Sequence, residues 1–461
     1  TGGNCGYLAA RNFERRAQQM TIPAKSWRRL PPPNVPEWCK VALGKKKSFT
    51  RLIIRIAIIA IAISMAVMIC TTALVSGFKY EIKEKIFGFW GHIHITKSGV
   101  YESVVDNSPI PDSLIRDLNE LKGERFVVNG TSTFLGNEYE KAFKSKQGIR
   151  HIQSFALIAG IIKAKDDNEG IILKGAGADF NWTFLSDYIL EGDTINWNDT
   201  LASNEMIISE QTSNRLKLKI GDRVRFAYLD GQDFLQRAFE VVGVYRTGLE
   251  EFDERFAIVD IRRIQRMKGW KPSEVGGFEV FIDDVDDLGL ITEHLYFEVL
   301  DDGIFAETIE EKQKEIFQWL ELQNINEVVI LSLMIIVAII NMITALLILI
   351  LERTNMIGVL KSLGSSNWGI RKVFLYYAAY IIGLGIFWGN LIGLALCILQ
   401  DRFKFIKLDE ANYYLSYAPI DLNWGAILLL NLGTLVIVIL FLVLPSYLVT
   451  RINPIKAIKF K

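Results

Sequence analysis

The sequence predicts a membrane protein with four transmembrane α-helices, one before and three after a large external α+β domain. Three observations predict it. Apolar residues are concentrated in four runs, the segment between the first two runs has ordinary soluble patterning, and charge is divided sharply between that segment and the rest. The runs Leu52 to Ser76, Val328 to Leu351, Phe374 to Leu399 and Gly425 to Val449 each exceed the roughly 18 apolar residues that mark a membrane-spanning helix. Between the first two, about 250 residues hold no apolar run long enough to cross lipid, a length that fits a folded domain or two.

Charge sets the expected orientation. The chain has 52 basic and 52 acidic residues, but Gly77 to Gln323 carries 29 Lys/Arg against 44 Asp/Glu, leaving 23 basic and 8 acidic residues elsewhere. Lys40, Lys45, Lys46, Lys47, Arg51 and Arg55 precede or enter the first span. Arg353, Lys361, Arg371 and Lys372 lie between the second and third, and Arg451, Lys456, Lys459 and Lys461 follow the fourth. By the positive-inside rule these three places face the cytoplasm, with both termini inside and the large domain outside. The outer loop before the fourth span holds Arg402, Lys404 and Lys407, offset by Asp401, Asp409, Glu410 and Asp421.

The expected segments are a basic N-terminal arm (1–35), an interfacial helix (36–51), the first span (52–76), the external domain (77–323) and the second span (324–351). There follow a polar link (352–373), the third span (374–399), an outer loop (400–424), the fourth span (425–449) and a tail (450–461). The arm, with Pro31-Pro32-Pro33 and no apolar h-region, is not a signal peptide; it is either a cytoplasmic arm or an extension foreign to the functional protein. Trp38, Val41, Ala42 and Leu43 among lysines suit an interfacial helix.

Within the domain, helical spacing continues past the first span through Phe78, Ile82 and Lys85-Ile86, so a helix is expected to project out of the membrane. Alternation then predicts a strand at His92 to Thr96. A helix is expected at Asp112 to Leu121, with strands at Arg125 to Val128, Ile161 to Lys163, Gly170 to Lys174 and Glu205 to Ile208. A helix at Ser209 to Leu216 and a hairpin of Arg223 to Tyr228 with Ala238 to Tyr245 about Asp230-Gly231 come next. A strand at Phe278 to Ile282 leads to an acidic helix start at Asp283, Asp284, Asp286 and Asp287. A last helix, Ile304 to Gln323, runs into the second span.

Few chemical motifs survive inspection. No G-x-x-x-x-G-K-[S/T] phosphate cradle occurs, so energy from ATP would come from another chain. His92-x-His94 has few partners, with His151 and His294 the remaining histidines, and structural or solvent-facing roles are favoured over metal binding. Glu250-Glu251-Phe252-Asp253-Glu254 lacks calcium-loop spacing and reads as a solvated acidic turn or partner-binding rim. The external domain has no Cys, which excludes a disulfide framework or cysteine zinc site there. The sequons at Asn129, Asn181 and Asn198 bear on function only on a eukaryotic secreted surface. Gly385, Gly389 and Gly393 allow close helix approach, either within the chain or at a dimer seam. The spans lack acidic and basic residues away from their ends, which speaks against a pore for ions or polar solutes.

The link ERTNMIGVLKSLGSSNWGIRK, Glu352 to Lys372, is too polar for lipid. Met356-Ile357, Val359-Leu360 and Leu363 fall on one expected helical stripe, Lys361 and Ser362 face elsewhere, and Gly364 ends the helix before Ser365-Ser366-Asn367 caps the next. An interfacial helix and a partner-docking helix both fit this pattern.

From Glu352-Arg353 through Ile357-Gly358-Val359-Leu360-Lys361-Ser362-Leu363-Gly364, with Ile370 and Phe374, the sequence resembles the FtsX/MacB superfamily of ABC-transporter permeases, and within it the lipoprotein-releasing LolC/LolE type. Gly77-Phe78, Gly91-His92-Ile93, Gly221-Asp222-Arg223-Val224, Val241 to Tyr245, Thr247-Gly248, Phe252-Asp253, Pro445 and Asn453-Pro454 extend it over about Trp38 to Lys461. The resemblance implies a MacB-like periplasmic domain and a transporter working by mechanotransmission in the bacterial inner membrane. A separate cytoplasmic ABC ATPase, which binds ATP and Mg, would push on a coupling helix carrying Glu352, Arg353, Met356, Ile357, Gly358, Leu360, Lys361, Leu363 and Gly364. A second permease subunit, identical or different, would complete a cavity that takes lipoprotein substrates and passes them to a periplasmic carrier. On that reading this chain is not an enzyme, binds no cofactor, metal or nucleic acid, and offers Met65, Met68, Ile69, Ala73, Val329 and Leu333 to the lipid cavity. The alternative is a signalling or regulatory permease of the same superfamily that moves no substrate and controls a periplasmic partner.

Overall fold

A computed structural model describes residues 48–97, 108–134, 137–164, 167–197, 201–230, 233–409 and 413–451. The N-terminal arm, residues 36–47 of the expected interfacial helix, the sequon at Asn198, Gly231 of the expected hairpin turn, and Asn453-Pro454 lie outside the described residues.

Helix α1 (Ser48–Trp90) runs unbroken for 43 residues, about twice the length a bilayer requires. Gly91, at φ +73°, stops it, because that conformation costs glycine little. The chain continues through β1 (Ile93–Thr96), β2 (Ile110–Pro111), α2 (Leu114–Glu120), β3 (Val127–Phe134), β4 (Asn137–Lys144), β5 (Ile149–Lys163) and β6 (Asn168–Ala176). Next come α3 (Trp182–Ser186), β7 (Ile189–Gly192), β8 (Glu205–Ser209), α4 (Glu210–Leu216), β9 (Arg223–Asp230), β10 (Asp233–Tyr245), α5 (Glu250–Arg255), β11 (Phe256–Asp260) and α6 (Ile261–Met267). After β12 (Glu274–Val275), β13 (Gly277–Ile282), α7 (Leu288–His294), β14 (Phe305–Thr308) and α8 (Ile309–Lys312), the chain enters α9 (Lys314–Glu352). Helices α10 (Thr354–Ser362), α11 (Asn367–Phe403), α12 (Trp424–Ser446) and α13 (Leu448–Arg451) complete it. Helices α1, α9, α11 and α12 are long and apolar enough to cross a membrane.

These elements pack into two compact units whose limits cut through the long helices. Among the described residues, one holds Ala62–Val337 with Ile386–Thr434; the other holds residues 48–61, Ala338–Gly385 and residues 435–451. The first of these contains a sheet of ten strands among the described residues, in the order β14-β1-β13-β5-β6-β11-β8-β10-β7, with β9 paired to both β10 and β5. Most neighbours are antiparallel; β10 with β8 and β11 with β6 run parallel. The fold is therefore sheet-rich α+β.

The middle of the sheet is buried on both faces, as on β11 and β13, which hides the alternation that marks a half-exposed strand. On β5, Ile152, Ala156, Ile158 and Ile162 enter one core with Leu118 of α2, Ile264 of α6 and Ile291 of α7. Phe155 and Leu157 enter the other, an aromatic core filled by Phe78, Ile82, Ile86, Phe87, Phe89 and Trp90 of α1 and by Ile316 and Leu320 of α9. Each of these Ile, Leu and Phe side chains, once fully buried, contributes about 1.5–3 kcal/mol. The ends of both long helices are thus built into the domain.

Two expectations are corrected. Residues 305–308 are not helical: Phe305–Thr308 pairs antiparallel with β1, because the edge of the sheet offers those residues a ladder. The helix start falls instead at Thr308, whose hydroxyl accepts from Glu311 N while Glu311 accepts from Thr308 N, a capping box. The stretch Glu250 to Glu254 is a helix, not a solvated turn: Phe252 and Asp253 are buried. Asp253 accepts from Thr247 N, Thr247 Oγ1 and Gly248 N at 3.1, 2.7 and 2.9 Å. Burial pushes its pKa up, and these hydrogen bonds oppose that shift.

A buried ion pair fixes the end of α1 to the sheet. Lys174 of β6 is fully buried, lies 2.7 Å from Glu279 Oε1 of β13, and donates to the Phe89 carbonyl at the last turn of α1. Its ammonium also sits 4.7 and 4.4 Å from the Phe89 and Trp90 ring centroids. Gln153 donates to Glu279 at 2.7 Å. Burial lowers the Lys174 pKa and raises that of Glu279, while each partner favours the charged form of the other. Replacing Lys174 by Met strands a buried carboxylate. Urea denaturation of the detergent-solubilised full chain is expected to show a loss of about 3–5 kcal/mol, with Lys174→Met/Glu279→Met recovering most of it. A single variant as stable as the parent contradicts this assignment.

Candidate functional site

The polar link is a short helix bracketed by two breaks. After α9, Thr354 Oγ1 donates back to Leu351 O at 2.6 Å, and α10 follows directly. Gly364 ends α10 at φ +88°, with Gly364 N donating to Lys361 O and Ser365 N to Leu360 O. Ser366 then caps α11, its hydroxyl accepting from Gly369 N at 3.2 Å.

The apolar residues of α10 do not share one face. Ile357 and Gly358 are buried, whereas Val359 and Leu363 are exposed, Leu363 at 71%. Met356 and Leu360 are half-buried, as are Glu352 and Arg353. Lys361 is drawn to the inward side, where its ammonium donates to Thr450 O of α13 at 3.1 Å. That corrects the expected stripe: the i, i+4 pair Ile357 and Lys361 faces the protein, and Val359 with Leu363, also four apart, faces away. Nearby, Arg371 donates to Ser446 Oγ at 3.2 Å and lies over the Trp368 and Tyr447 rings at 5.4 and 5.5 Å. The link is therefore held to the end of α12 and α13 on one side and open on the other.

The glycine repeat of α11 packs within the chain. A Cβ at Gly385 would lie 2.6 Å from Ile61 Cγ2. At Gly389 it would lie 2.5 Å from Met65 Cβ, and at Gly393 3.2 Å from Ala66 Cα and Ile69 Cβ. Small residues let these two helices approach closely, and the intramolecular reading of the repeat is the one the structure supports. Beside this seam the Cys70 and Cys397 sulfurs are 3.9 Å apart.

This packing divides the expected apolar cavity residues. Met65, Met68, Ile69 and Ala73 are sealed in a cluster with Cys397, against Leu331, Met334 and Ile335. They do not line an open surface, because the glycine seam brings α11 over them. Val329 and Leu333 of α9 are about half exposed. A cleft of about 960 Å³ lies nearby, lined by Ser76, Lys79, Tyr80 and Lys83 of α1 and by Lys314, Phe317, Glu321 and Asn324 of α9.

A polar contact among the apolar helices was not read from the sequence. Asn390 of α11 and Asn431 of α12 exchange hydrogen bonds of 2.6 and 3.0 Å, and each amide also donates to the carbonyl four residues earlier. Asn390 and Asn431, each the one Asn in its apolar run, were the available signal, since an amide in lipid requires a partner.

His92 and His94 are buried and hydrogen-bonded within the domain. His94 Nε2–H donates to Trp90 O at 2.7 Å, and His92 Nδ1 accepts from Ile282 N at 3.4 Å. Burial lowers the His92 pKa to about 3 and that of His94 well below its usual value. Among the described residues, no three His, Cys, Asp or Glu side chains gather as a metal site.

Comparison with known proteins gives two family matches. Residues 328–454 match the FtsX-like permease C-terminal family, and residues 56–295 match the MacB-like periplasmic core domain. The lipoprotein-releasing system transmembrane protein LolC of Xylella fastidiosa (strain 9a5c) is 21% identical over 436 residues, covering 90% of this chain and 96% of that protein. LolC of Haemophilus influenzae is 23% identical over 60% of this chain and 71% of its own length. LolE of the same organism is 18% identical over 89% and 95%. Among solved structures, the extracellular domain of the noncanonic ABC-type transporter YknZ from Gram-positive bacteria covers 47% of this chain and 98% of its own, at 14% identity and a TM-score of 0.31.

Two substitutions test the packing. Gly389→Leu is expected to destabilise the detergent-solubilised chain by about 1–3 kcal/mol through overpacking, whereas Gly383→Leu, with nothing within 4 Å, is expected to stay near the parent. On α10, Ile357→Ser should lower thermal stability and Val359→Ser should not; equal effects would contradict the division of its faces.

Proposed function

Because the chain belongs to the FtsX-like permeases that carry a MacB-like periplasmic core domain, we propose that it is a membrane subunit of a lipoprotein-releasing ABC transporter. In this reading it extracts outer-membrane-directed lipoproteins from the inner membrane and passes them to a periplasmic carrier. The observation that carries the reading is coverage: similarity to LolC extends over 90% of this chain and 96% of the relative.

The work is supplied elsewhere. ATP, with Mg, is bound and hydrolysed by a separate cytoplasmic ATPase, and a second permease subunit completes the assembly. Helix α10 is the coupling helix. Its exposed Val359 and Leu363 form the docking face, Met356 and Leu360 flank it, and Ile357, Gly358 and Lys361 hold the helix to its own chain. Glu352 and Arg353 lie at the break through which α10 joins α9, and Gly364 shapes its far end. Both termini are cytoplasmic and the sheet domain is periplasmic, in keeping with the positive-inside charge distribution.

The load sets a physical demand. Removing an acyl chain from lipid costs about 0.8 kcal/mol per CH₂, so a multiply acylated anchor requires an apolar receiving face and external work. Val329 and Leu333, exposed on α9, are the residues assigned to that face. Met65, Met68, Ile69 and Ala73 stand behind it as packing.

Reconstituted in nanodiscs with its ATPase and second subunit, the chain is expected to release a triacylated lipoprotein to a soluble carrier only when ATP is hydrolysed. Active ATPase with no transfer of any of several cognate lipoproteins would refute the reading. Leu363→Asp is expected to weaken ATPase association about tenfold or more. Val359→Pro should leave the subunit inserted while uncoupling hydrolysis from release; normal coupling in both variants removes α10 from the mechanism.

A further inference from the structure

The turn after β10 and the helix α5 that follows it carry Thr247-Gly248 and Phe252-Asp253, residues that the coupling helix and the apolar face leave without a role. Thr247 and Asp253 are buried, and the Asp253 carboxylate closes the turn by accepting three hydrogen bonds from Thr247 and Gly248. Thr247 Oγ1 in turn accepts from Leu249 N at 3.1 Å. A turn so thoroughly braced fixes the direction of the Thr247 carbonyl.

That carbonyl points at a lysine of the first long helix. Lys85 is 8% exposed, and its ammonium donates to Thr247 O at 2.6 Å and to Tyr414 O at 3.1 Å. Tyr414 belongs to the loop between α11 and α12, and its ring meets Trp319 of α9 edge-on at 5.8 Å. One side chain therefore ties three parts of the chain that lie far apart in sequence. Gly248 completes the fit: its φ is +78°, and a Cβ there would lie 3.0 Å from Lys85 Nζ and 3.3 Å from Tyr414 O. Elsewhere the same loop is close to α1, since Asp421 N donates to Ala73 O at 3.0 Å and a Cβ on Gly77 would lie 2.7 Å from Asp421 N.

We propose that Lys85 is a positioning residue for transport: by holding the Thr247 and Tyr414 carbonyls together, it makes the sheet domain and the α11–α12 loop follow α1 as one body. The inference rests on the mechanotransmission reading above and adds a named junction to it. An ammonium suits the task because it donates along several directions at once, and buried carbonyls left without a donor carry a desolvation penalty. A neutral side chain of the same length fills the space but cannot join the two carbonyls.

The test uses the full chain with its ATPase and second subunit, in a background with the native cysteines replaced by Ala. Spin labels are placed at Tyr413→Cys in the loop and Phe297→Cys in the domain, both exposed positions. The parent is expected to give one narrow distance distribution, with and without ATP. Lys85→Met is expected to broaden it at least about twofold and to lower lipoprotein released per ATP about tenfold, the scale of one charged hydrogen bond, while hydrolysis continues. Lys85→Arg, which keeps charge and several donors, should restore the narrow distribution. Gly248→Ala, which keeps the lysine but crowds its ammonium, should broaden it. A parental width in Lys85→Met, or no rescue by Lys85→Arg, overturns the proposal. Because the distance measurement needs no cargo, broadening in a chain that releases no lipoprotein would refute the function proposed above and leave the junction standing.

Discussion

The structure depends on an aromatic core that belongs to the helices and the sheet at once. Phe78, Ile82, Ile86, Phe89 and Trp90 continue the apolar face of α1 beyond any membrane length, and they pack with Phe155, Tyr245, Phe252 and Phe256 of the domain. Phe89 stacks on Phe252 at 5.1 Å, and Trp90 meets Phe256 edge-on at 5.0 Å. Such pairs add specific geometry to the burial of area. A helix whose last turns are part of a folded core cannot shift without carrying the core with it, and the mechanotransmission proposed above rests on this packing.

Polar groups then fix rotation and register, which nonspecific burial leaves loose. Lys174 with Glu279 holds the Phe89 carbonyl, the Thr308–Glu311 capping box sets where the helical chain restarts after β14, and Asn390 with Asn431 joins two apolar helices. A buried charge pair is weak evidence for stability but has attested uses in specifying one arrangement over another. At the lipid-facing level, close approach takes over from charge, with Gly385, Gly389 and Gly393 admitting Ile61, Met65 and Ile69.

Much of this was legible in the sequence, for physical reasons that differ by element. Long apolar runs announce helices in lipid because no other open structure satisfies the backbone there, and the four-residue spacing of Phe78, Ile82 and Ile86 announced the continuation of α1. The strand Phe305–Thr308 was not legible, because four residues beside a strong helical pattern take their conformation from a distant edge strand. Asp253 read as solvated because its neighbours are acidic; its donors come from Thr247 and Gly248, which only folding of the turn brings round. On α10, the apolar stripe was visible, but which side faces inward depends on Thr450, 89 residues away from Lys361. Met65 and Met68 looked adaptable enough for a cavity, and the glycines of α11 instead bring a helix against them.

The central claim is that the C-terminal end of α1 and the domain sheet move as one body in the transport proposed above. Hydrogen–deuterium exchange on the assembled transporter, compared with and without a non-hydrolysable ATP analogue, tests it most directly. The amides of residues 78–90 and of residues 152–157 on β5 are expected to stay equally protected in both states. Loss of protection at 78–90 while β5 keeps its own would mean that the helix leaves the core during the stroke, and would contradict the account.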